Sequence, residues 1–410
     1  MEQPDYSRYL QSIYQDTTWE VERTPHGSIN ATLRARKTDG QNGPASLVLK
    51  HASPYFEDEG SLHPFSLHRQ KTEETMLKLW GHEGTLVAAV GATHVWHVPK
   101  FFGRDEGSES RLCVSSKTDE ASIILMEDIK EAGNLREWIE FMAQSATHAS
   151  AATECVSRVG HILGKCLAAM HSRRTADLIQ TRPEDARALD RTDLDPVTWY
   201  LDMDIFPTFL SKEPKAEAYF DRLVEDYRGQ KYTYPSCVAH GDFHFGNIIL
   251  PLTQTPAEQT RPYIIDWEFS TSRGRGVNGD AAQFLGILHC RLISAARQNS
   301  ASPLTRLLRL LCRKFCEAYR ERAALQCSMT AADPNSQLYR SAMLFCGRDM
   351  INYANDACAE DDEAFGEMMA VGLWYLEHAG DDMGEFVGQA NRRDLANEDE
   401  GFIRSLFMFD

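Results

Sequence analysis

The segment that decides the fold spans residues 237–250 and reads CVAHGDFHFGNIIL. It places polar residues between two apolar flanks, and a second segment at 263–269, YIIDWEF, likewise ends an apolar run in carboxylates. Together the two segments supply four oxygen donors: Asp242, Asn247, Asp266 and Glu268. Mg²⁺ prefers such oxygen ligands, so the pair of segments predicts a site for a hard divalent cation.

The spacing between Asp242 and Asn247 also predicts the type of reaction at this site. Phosphoryl transfer depends on positioning and charge neutralisation more than on covalent chemistry, and the D-x-x-x-x-N spacing matches the catalytic loop of protein kinases. In that arrangement the Asp is aimed at the attacking hydroxyl and the Asn at the metal. Either residue alone would more often be a turn or a helix cap. Their combination with Asp266 indicates a phosphotransferase, and no metal role is expected for His244.

The N-terminal part has the pattern of a small antiparallel sheet. Apolar and polar residues alternate over 29–36, as in a half-buried strand, and 19–22 is the expected partner across a turn at 25–28. A third strand at 46–50 ends in Lys50. A sheet of this kind would fold over nucleotide phosphates, with the ammonium of Lys50 reaching their oxygens.

A helix predicted over 68–80 would supply the carboxylate that fixes this ammonium. Glu73 is the better candidate, because Leu77 and Trp80 follow it at helical spacing, and Glu74 is the alternative.

The remaining pattern is mainly helical. Further strands are predicted at 100–103, 111–115 and 121–126, with polar turns at 105–110 and 116–120. After residue 127 a β-like interruption at 237–266 separates the predicted helices, which cover 135–145, 152–171, 196–206, 213–228, 280–297, 304–322, 337–354 and 364–379. The sequence therefore predicts an α+β fold with two lobes, a small antiparallel-sheet lobe over 1–126 and a larger helical lobe over 127–410.

Composition excludes several classes of protein. The chain has 410 residues, of which 42% are hydrophobic and 25% charged, as in an ordinary globular protein. Its net charge of −17 disfavours binding to nucleic acid or anionic membranes. The first residues, MEQPDYSRYLQS, lack the basic and apolar regions of a secretory signal. With ten scattered cysteines and no C-x-x-C pair, a cytoplasmic protein with reduced thiols is expected.

With these residues in hand, the chain resembles the aminoglycoside phosphotransferase/choline kinase family, which has a protein-kinase-like fold. Within it, the Asp-Trp-Glu form at 266–268 and Leu-Lys-His at 49–51 look most like methylthioribose kinase-like and fungal hydroxytryptamine kinase-like enzymes. The matching motifs are His26-Gly27-Ser28-Ile29-Asn30, Leu49-Lys50, Arg69 with Glu73, residues 123–128, Leu163-Gly164 with His171, residues 240–247, residues 265–268 and Gly279-Asp280.

The resemblance implies an ATP- and Mg²⁺-dependent kinase that phosphorylates a hydroxyl of a small molecule. Asp242 would be the catalytic base, Asn247 and Asp266 would hold Mg²⁺, and Glu268 would be an additional or second-shell ligand. Lys50, with Glu73, would contact the α- and β-phosphates. The remaining nucleotide contacts would come from the glycine turn and from the backbone of the hinge between the lobes: Gly27, Ser28, Asn30, Met126, Glu127, Asp128 and Ile129.

Two other functions stay open. A protein kinase is disfavoured because no activation-segment anchor is apparent after Asp266, and because the helical insertion between His171 and Cys237 suits a small substrate. A catalytically inactive, nucleotide-binding scaffold or regulator is disfavoured because Lys50, Asp242, Asn247 and Asp266 are all present.

The acceptor itself is left open by the sequence. Asp202, Asp204 and Asp280 are candidates for binding a cationic acceptor, although Asp280 is also placed to cap a helix. Trp199 and Trp267 are candidates for stacking on an acceptor, with a core position favoured for Trp199.

Overall fold

The computed structural model describes residues 4–24, 30–58, 61–90, 95–107, 121–144, 149–190, 195–233, 236–253, 256–325, 337–357 and 363–379. A short helix comes first, followed by three strands, a hairpin, two helices and two more strands. These elements are α1 (Tyr6–Ile13), β1 (Thr18–Arg23), β2 (Ala31–Asp39), β3 (Ser46–Ala52), β4 (Tyr55–Asp58), β5 (Ser61–Pro64), α2 (His68–Trp80), α3 (Thr85–Val90), β6 (Phe101–Gly107) and β7 (Ala121–Glu127). Five strands form one antiparallel sheet in the order β1-β2-β3-β7-β6.

The register of this sheet decides where Lys50 points. Side chains alternate between the two faces of a strand, so directly paired residues share a face. Leu49 pairs with Leu33 and Leu125, and this face is buried beneath α1. Lys50, one residue further, pairs with Ile124 on the opposite face. A slip of one residue would exchange the faces and bury Lys50 under α1 instead.

Helix α2 has the bounds that the sequence predicts and is buried along most of its length, including its polar residues Arg69, Gln70, Glu73 and Glu74. Buried polar groups are costly unless they find partners. The partners of Arg69 and Glu73 lie toward the sheet and toward the segment at 266–268.

After residue 127 the described part of the chain is mainly helical, with five short strands. The elements are β8 (Ala132–Asn134), α4 (Leu135–Gln144), α5 (Ala149–Met170), α6 (Arg173–Gln180), α7 (Pro183–Ala188), α8 (Asp195–Trp199), α9 (Phe206–Phe209), α10 (Ala216–Thr233), β9 (Cys237–Ala239), β10 (Ile248–Pro251), β11 (Tyr263–Ile264), β12 (Thr271–Gly274), α11 (Ala282–Asn299), α12 (Pro303–Leu325), α13 (Gln337–Ala357) and α14 (Glu363–His378). Strand β10 lies between β11 and β8, and β9 pairs with β12.

Helices α5 and α12 form the centre of this part. Gly164 of α5 allows the two helices to approach closely, because a Cβ there would lie 2.3 Å from the carbonyl oxygen of Phe315. The core around them includes Leu163, Leu167 and Leu311 and extends to the inner face of the sheet through Ile124.

The predicted α+β arrangement, an antiparallel sheet followed by a mainly helical remainder, is confirmed. The structure differs from the prediction in detail. The β4–β5 hairpin, strand β12 and helices α3, α6 and α7 were not predicted, and β6 continues through 105–107, where a turn was expected. The predicted helix at 196–206 is divided into α8, a π-helical turn at Tyr200–Asp204 and α9. The predicted strand at 111–115 lies outside the described residues.

The seven cysteines in the described part of the chain are all buried thiols. Across the described ranges, none of the helices combines the length and the apolar character needed to cross a membrane.

Candidate active site

A tight turn after β9 delivers Asp242 to the site. Gly241 has φ +84°, a left-handed conformation that favours glycine. A Cβ at this position would also lie 2.1 Å from the carbonyl oxygen of Phe269. Backbone conformation and close approach therefore both require glycine in front of Asp242.

Three side chains fix the carboxylate of Asp242. Gln283, in the first turn of α11, donates its amide to Oδ1 at 2.9 Å. Asn247 donates to Oδ2 at 3.1 Å, and His244 Nε2 lies 3.3 Å from the same oxygen. Burial acts to raise the pKa of Asp242, but His244 and Gln283 outweigh it and hold that pKa well below its usual range. Asp242 is therefore a carboxylate at neutral pH.

Asp280 fastens the loop that carries Asp242. Its Oδ2 accepts from the backbone N–H of His240 at 2.7 Å, and its Oδ1 accepts from that of Gly241 at 2.9 Å. The same carboxylate lies 3.1 Å from Nε2 of His171. Charge-assisted hydrogen bonds of this kind are strong. The role of Asp280 is thus to hold the loop, rather than to cap α11 or to bind an acceptor.

His240 links this loop to the segment that ends in Asp266. Its Nε2 lies 3.0 Å from the carbonyl oxygen of Ile265, and its Nδ1 accepts from the backbone N–H of Asp242 at 3.3 Å. One ring nitrogen donating and the other accepting is the pattern of a neutral imidazole. Burial lowers the pKa of His240, in agreement with that pattern.

Pairing of β10 with β11 brings Asn247 and Asp266 to one end of a ladder. Ile248 pairs with Ile264, and the backbone N–H of Ile265 donates to the carbonyl oxygen of Asn247 at 3.0 Å. Asp266 follows with φ +64°, which turns its side chain out of the strand direction. The two predicted metal ligands therefore start from neighbouring backbone positions.

Lys50 lies at the centre of the carboxylates. Its Nζ is 2.8 Å from Glu73 Oε2, contacts Asp266 Oδ1, and is 3.7 Å from Glu268 Oε2. Burial acts to lower the pKa of Lys50, but the three carboxylates raise it above its ordinary value, so the ammonium is charged. Burial raises the pKa of Glu73 to about 7, although Lys50 acts against this shift.

The choice between Glu73 and Glu74 is settled by geometry. Glu74 instead contacts Lys78 and lies 3.1 Å from Lys71 and 2.7 Å from Arg104. Glu73 is the partner of Lys50.

The donor set fits a hard cation. Glu73, Asp266 and Glu268 each offer an oxygen, and these oxygens lie within 4.8 Å of one another. The side chain of Asp266 is one-third exposed, at 33%, whereas that of Glu268 is 2% exposed. Asn247 turns its amide nitrogen toward Asp242, which leaves its oxygen on the other side of the group. Carboxylate and amide oxygens are Mg²⁺ ligands.

Only some of the residues that are predicted to contact the nucleotide lie in the described part of the chain. Met126 and Glu127 end β7, and Asp128 and Ile129 follow in the connection to β8. Asp128 is buried and accepts from Nε of Arg34 at 2.9 Å, so a cation of β2 lies beside the hinge. Asn30 lies directly before β2. Gly27 and Ser28 lie outside the described residues.

Several residues at the site were not predicted. Gln283, Arg69 and Arg34 contact predicted site residues across large separations in sequence, and only Arg69 had a signal, through its place in a matching motif. Of the two tryptophans that were candidates for stacking on an acceptor, Trp267 is fully buried, and Trp199 is only partly buried against the core. Trp267 is buried against Trp96 and His240, whereas Trp199 is half-buried and donates to Asp204 at 2.7 Å.

Comparison with known proteins agrees with this geometry. A family model described as "Phosphotransferase enzyme family" matches residues 86–325, more than half of the chain. The chain belongs to this family. The matched span contains the loop at Asp242, the segment at Asp266 and the anchor Asp280. The resemblance to the aminoglycoside phosphotransferase/choline kinase family, which was drawn from the sequence motifs, is confirmed.

Solved structures that are similar come from kinases and phosphotransferases. A glucosamine kinase in complex with glucosamine, ADP and inorganic phosphate is 13% identical with a TM-score of 0.43, covering 92% of this chain and 84% of that one. The GDP complex of aminoglycoside 2'-phosphotransferase-IIIa is 14% identical with a TM-score of 0.43, covering 92% and 97%. A choline kinase from Cryptosporidium parvum Iowa II is 12% identical with a TM-score of 0.39, covering 91% of each chain. No curated protein matches the chain by sequence.

Proposed function

We propose that this phosphotransferase is an ATP- and Mg²⁺-dependent kinase that transfers the γ-phosphate to a hydroxyl of a small molecule. The observation that carries the proposal is the convergence of a buried Lys50–Glu73 ion pair, the Asp266–Asn247 pair and an ionised Asp242. In this proposal residues 1–126 form the nucleotide-binding lobe, and 127–410 form the catalytic and substrate-binding lobe. We expect the enzyme to work in the cytoplasm, without nucleic-acid or membrane partners.

Lys50 would bind the α- and β-phosphates of ATP. Its ammonium is held by Glu73, which keeps it extended toward Asp266, and it is charged at neutral pH because three carboxylates surround it. The turn that includes Gly27 and Ser28 and ends at Asn30 would cover the phosphates. The hinge backbone over Met126–Ile129 would bind adenine.

Asn247 and Asp266 would hold Mg²⁺, and Glu268 would be an additional or second-shell ligand. Both Asn247 and Asp266 offer oxygens and start from neighbouring backbone positions, and Asp266 is exposed enough to be reached. When bound, the cation would neutralise charge on the phosphates.

Asp242 would orient the acceptor hydroxyl and accept its proton. Gln283 and Asn247 each hold one of its oxygens, so the carboxylate is preorganised before the acceptor arrives. Because its pKa lies well below the usual range, it is ionised across the physiological pH range and acts as a weak base. A weak base accepts the proton as the bond to phosphorus forms, rather than before it.

The segment after Asp266 favours a small acceptor over a protein. Strand β12 pairs directly with β9, and the π-helical turn at Gly276–Ala281 leads straight to α11. A protein acceptor would need an extended docking segment at this point. Between His171 and Cys237, α6 to α10 are available to enclose a small molecule.

A transfer assay tests the proposal. ATP with a labelled γ-phosphate is incubated with Mg²⁺, the protein and a panel of amino alcohols, sugars and hydroxyindoles. We expect label in a low-molecular-weight product. Transfer to protein alone would favour the protein-kinase alternative, and nucleotide binding without transfer to any acceptor would favour the inactive scaffold. A variant with Asp242→Asn is the matched control for background hydrolysis.

A further inference from the structure

Three buried side chains from distant parts of the chain bind one another: Asn30, Arg69 and Glu268. The amide nitrogen of Asn30 donates to both oxygens of Glu268, at 2.9 and 3.0 Å. Its amide oxygen accepts from Arg69 Nη2 at 3.1 Å, and Arg69 Nε lies 3.2 Å from Glu268 Oε2. Each member of this triad therefore contacts the other two.

The triad is rigidly built. Arg69 is fully buried at 0% exposure, and it also donates to the carbonyl oxygens of Phe65 and Ser66, both at 2.9 Å, and of Ser53 at 2.7 Å. A buried guanidinium with this many acceptors has little freedom to move. The triad joins the start of β2, the first turn of α2 and the segment after Asp266.

This environment leaves Glu268 poorly suited to bind a metal ion directly. Both of its oxygens already accept hydrogen bonds, and the cations of Arg69 and Lys50 lie 3.2 and 3.7 Å from Oε2. A divalent cation bound there would lie beside two positive charges inside the protein, where repulsion is strong. Asp266 also contacts Lys50, through Oδ1, but its side chain is one-third exposed, so a cation can reach it from solvent.

The triad instead acts on Asp266 through the backbone. Asp266 has φ +64° and is followed by a single turn, Trp267–Phe269, whose middle residue is Glu268. Trp267 is fully buried and donates its indole N–H to the carbonyl oxygen of Ile264 at 2.9 Å. Trp267 and Glu268 both follow Asp266 directly, so their fixed side chains hold the backbone next to it and keep Asp266 in its left-handed conformation.

We propose that Glu268 is a positioning residue and not a metal ligand: through Asn30 and Arg69 it fixes the turn after Asp266 against the start of β2 and the first turn of α2. This inference rests on the proposed function, because it assigns how the metal-binding aspartate is held. The sequence leaves two roles open for Glu268, to bind the cation directly or to support a residue that binds it, and this inference selects the second.

An exchange of amide and carboxylate tests this role. Asn30→Asp alone places two carboxylates together, and Glu268→Gln alone removes the charge that faces Arg69. The double variant, Asn30→Asp with Glu268→Gln, restores one carboxylate and one amide at the same two positions. A positioning role requires one carboxylate and one amide at positions 30 and 268, in either order. A metal-binding role requires the carboxylate to be at position 268.

Two readouts are needed: binding of Mn²⁺ in the presence of ADP, followed by electron paramagnetic resonance, and unfolding by urea without ligand. We expect each single variant to weaken nucleotide-dependent Mn²⁺ binding about tenfold or more, as for loss of a hydrogen bond to a charged group. The double variant should recover most of both affinity and stability. Glu74→Gln, at a buried carboxylate outside the triad, is the matched control and should leave Mn²⁺ affinity unchanged.

The outcomes separate this inference from the proposed function. If the double variant regains stability while Mn²⁺ affinity stays as low as in Glu268→Gln, the carboxylate at 268 is a ligand and the positioning role is overturned. If the unaltered protein binds no Mn²⁺ with ADP, the proposed function fails and the positioning role fails with it. Recovery of affinity in the double variant supports the inference.

Discussion

At the scale of single residues, the two central aspartates of the site have different neighbours. Asp242 is held by the neutral amides of Gln283 and Asn247 beside His244, in a loop fixed by its backbone. Asp266 faces the ammonium of Lys50, and its side chain is one-third exposed. The environment of Asp242 suits a group that binds a hydroxyl. The environment of Asp266 suits a group that releases the ammonium of Lys50 and binds a metal cation in its place.

Replacing Asp242 with Asn should affect the chemical step alone. The variant keeps the shape of the side chain but loses the charge that accepts a proton, together with one of the two acceptor oxygens. We expect turnover to fall by about 10²–10⁴-fold, the usual contribution of a positioned general base. Nucleotide affinity, measured by calorimetry at fixed Mg²⁺, should change little. A large loss of affinity would show that Asp242 contacts the nucleotide or its metal.

Replacing Asp266 with Asn should affect binding as well as turnover. A hard cation loses an anionic ligand, so Mg²⁺-dependent nucleotide affinity should fall together with the single-turnover rate. The same calorimetric titration, repeated over a range of Mg²⁺ concentrations, measures the change. An Asp266→Asn variant that retained both binding and turnover would contradict the assignment.

At the scale of elements, the loop after β9 depends on Gly241. Gly241→Ala would force a side chain into a left-handed conformation and against the carbonyl oxygen of Phe269, 2.1 Å away. We expect the free energy of unfolding to fall by about 1–3 kcal/mol or more, with a loss of turnover, because strain of this kind costs that much per residue. Urea denaturation measures the first and the transfer assay the second.

Gly366 in α14 provides the matched control. A Cβ there would meet nothing within 4 Å, and alanine favours a helix interior, so Gly366→Ala should be neutral or stabilising by about 0.5–1 kcal/mol. Equal effects of the two substitutions would contradict the account of Gly241.

Elements with a clear period could be predicted from the sequence, and others could not. Helix α2 begins and ends where predicted. Strand β2 was predicted from its alternation of apolar and polar residues, and β3 was predicted as the next strand, which reaches Lys50. The β4–β5 hairpin was missed because its charged residues at 57–58 look like a loop, although Phe56 of β4 packs against Phe65 and Tyr200.

Some features of the site could likewise be predicted from the sequence, and others could not. Local motifs predicted Asp242, Asn247 and Asp266, because each follows an apolar run and their spacing is characteristic. The bond from Gln283 to Asp242 and the triad around Glu268 depend on tertiary packing between segments far apart in sequence. No local period encodes such contacts, so only the structure shows them.

At the scale of the whole molecule, a buried histidine should make stability depend on pH. Burial lowers the pKa of His289 in α11 from 6.5 to about 3. Below pH 6.5 the unfolded chain takes up a proton that the folded protein does not. The free energy of unfolding should therefore fall as pH decreases from about 6.5 to about 3, by at most about 1.4 kcal/mol per pH unit from this group.

The variant His289→Gln isolates this contribution. Its side chain does not titrate, so its free energy of unfolding should depend less steeply on pH over the same range. Denaturation curves at several pH values compare the two proteins. Parallel pH dependence in both would show that His289 does not contribute.

In the proposed function, Lys50 and Asp266 form part of a site for a magnesium nucleotide between the sheet and the helical part. Thermal unfolding with ATP, with and without Mg²⁺, tests it most directly. A ligand at 100 times its dissociation constant stabilises the folded state by about 2.7 kcal/mol, so Mg-ATP should raise the melting temperature measurably. EDTA should reduce this shift, and Lys50→Ala should weaken it while the protein still folds. No shift at millimolar Mg-ATP would contradict the account.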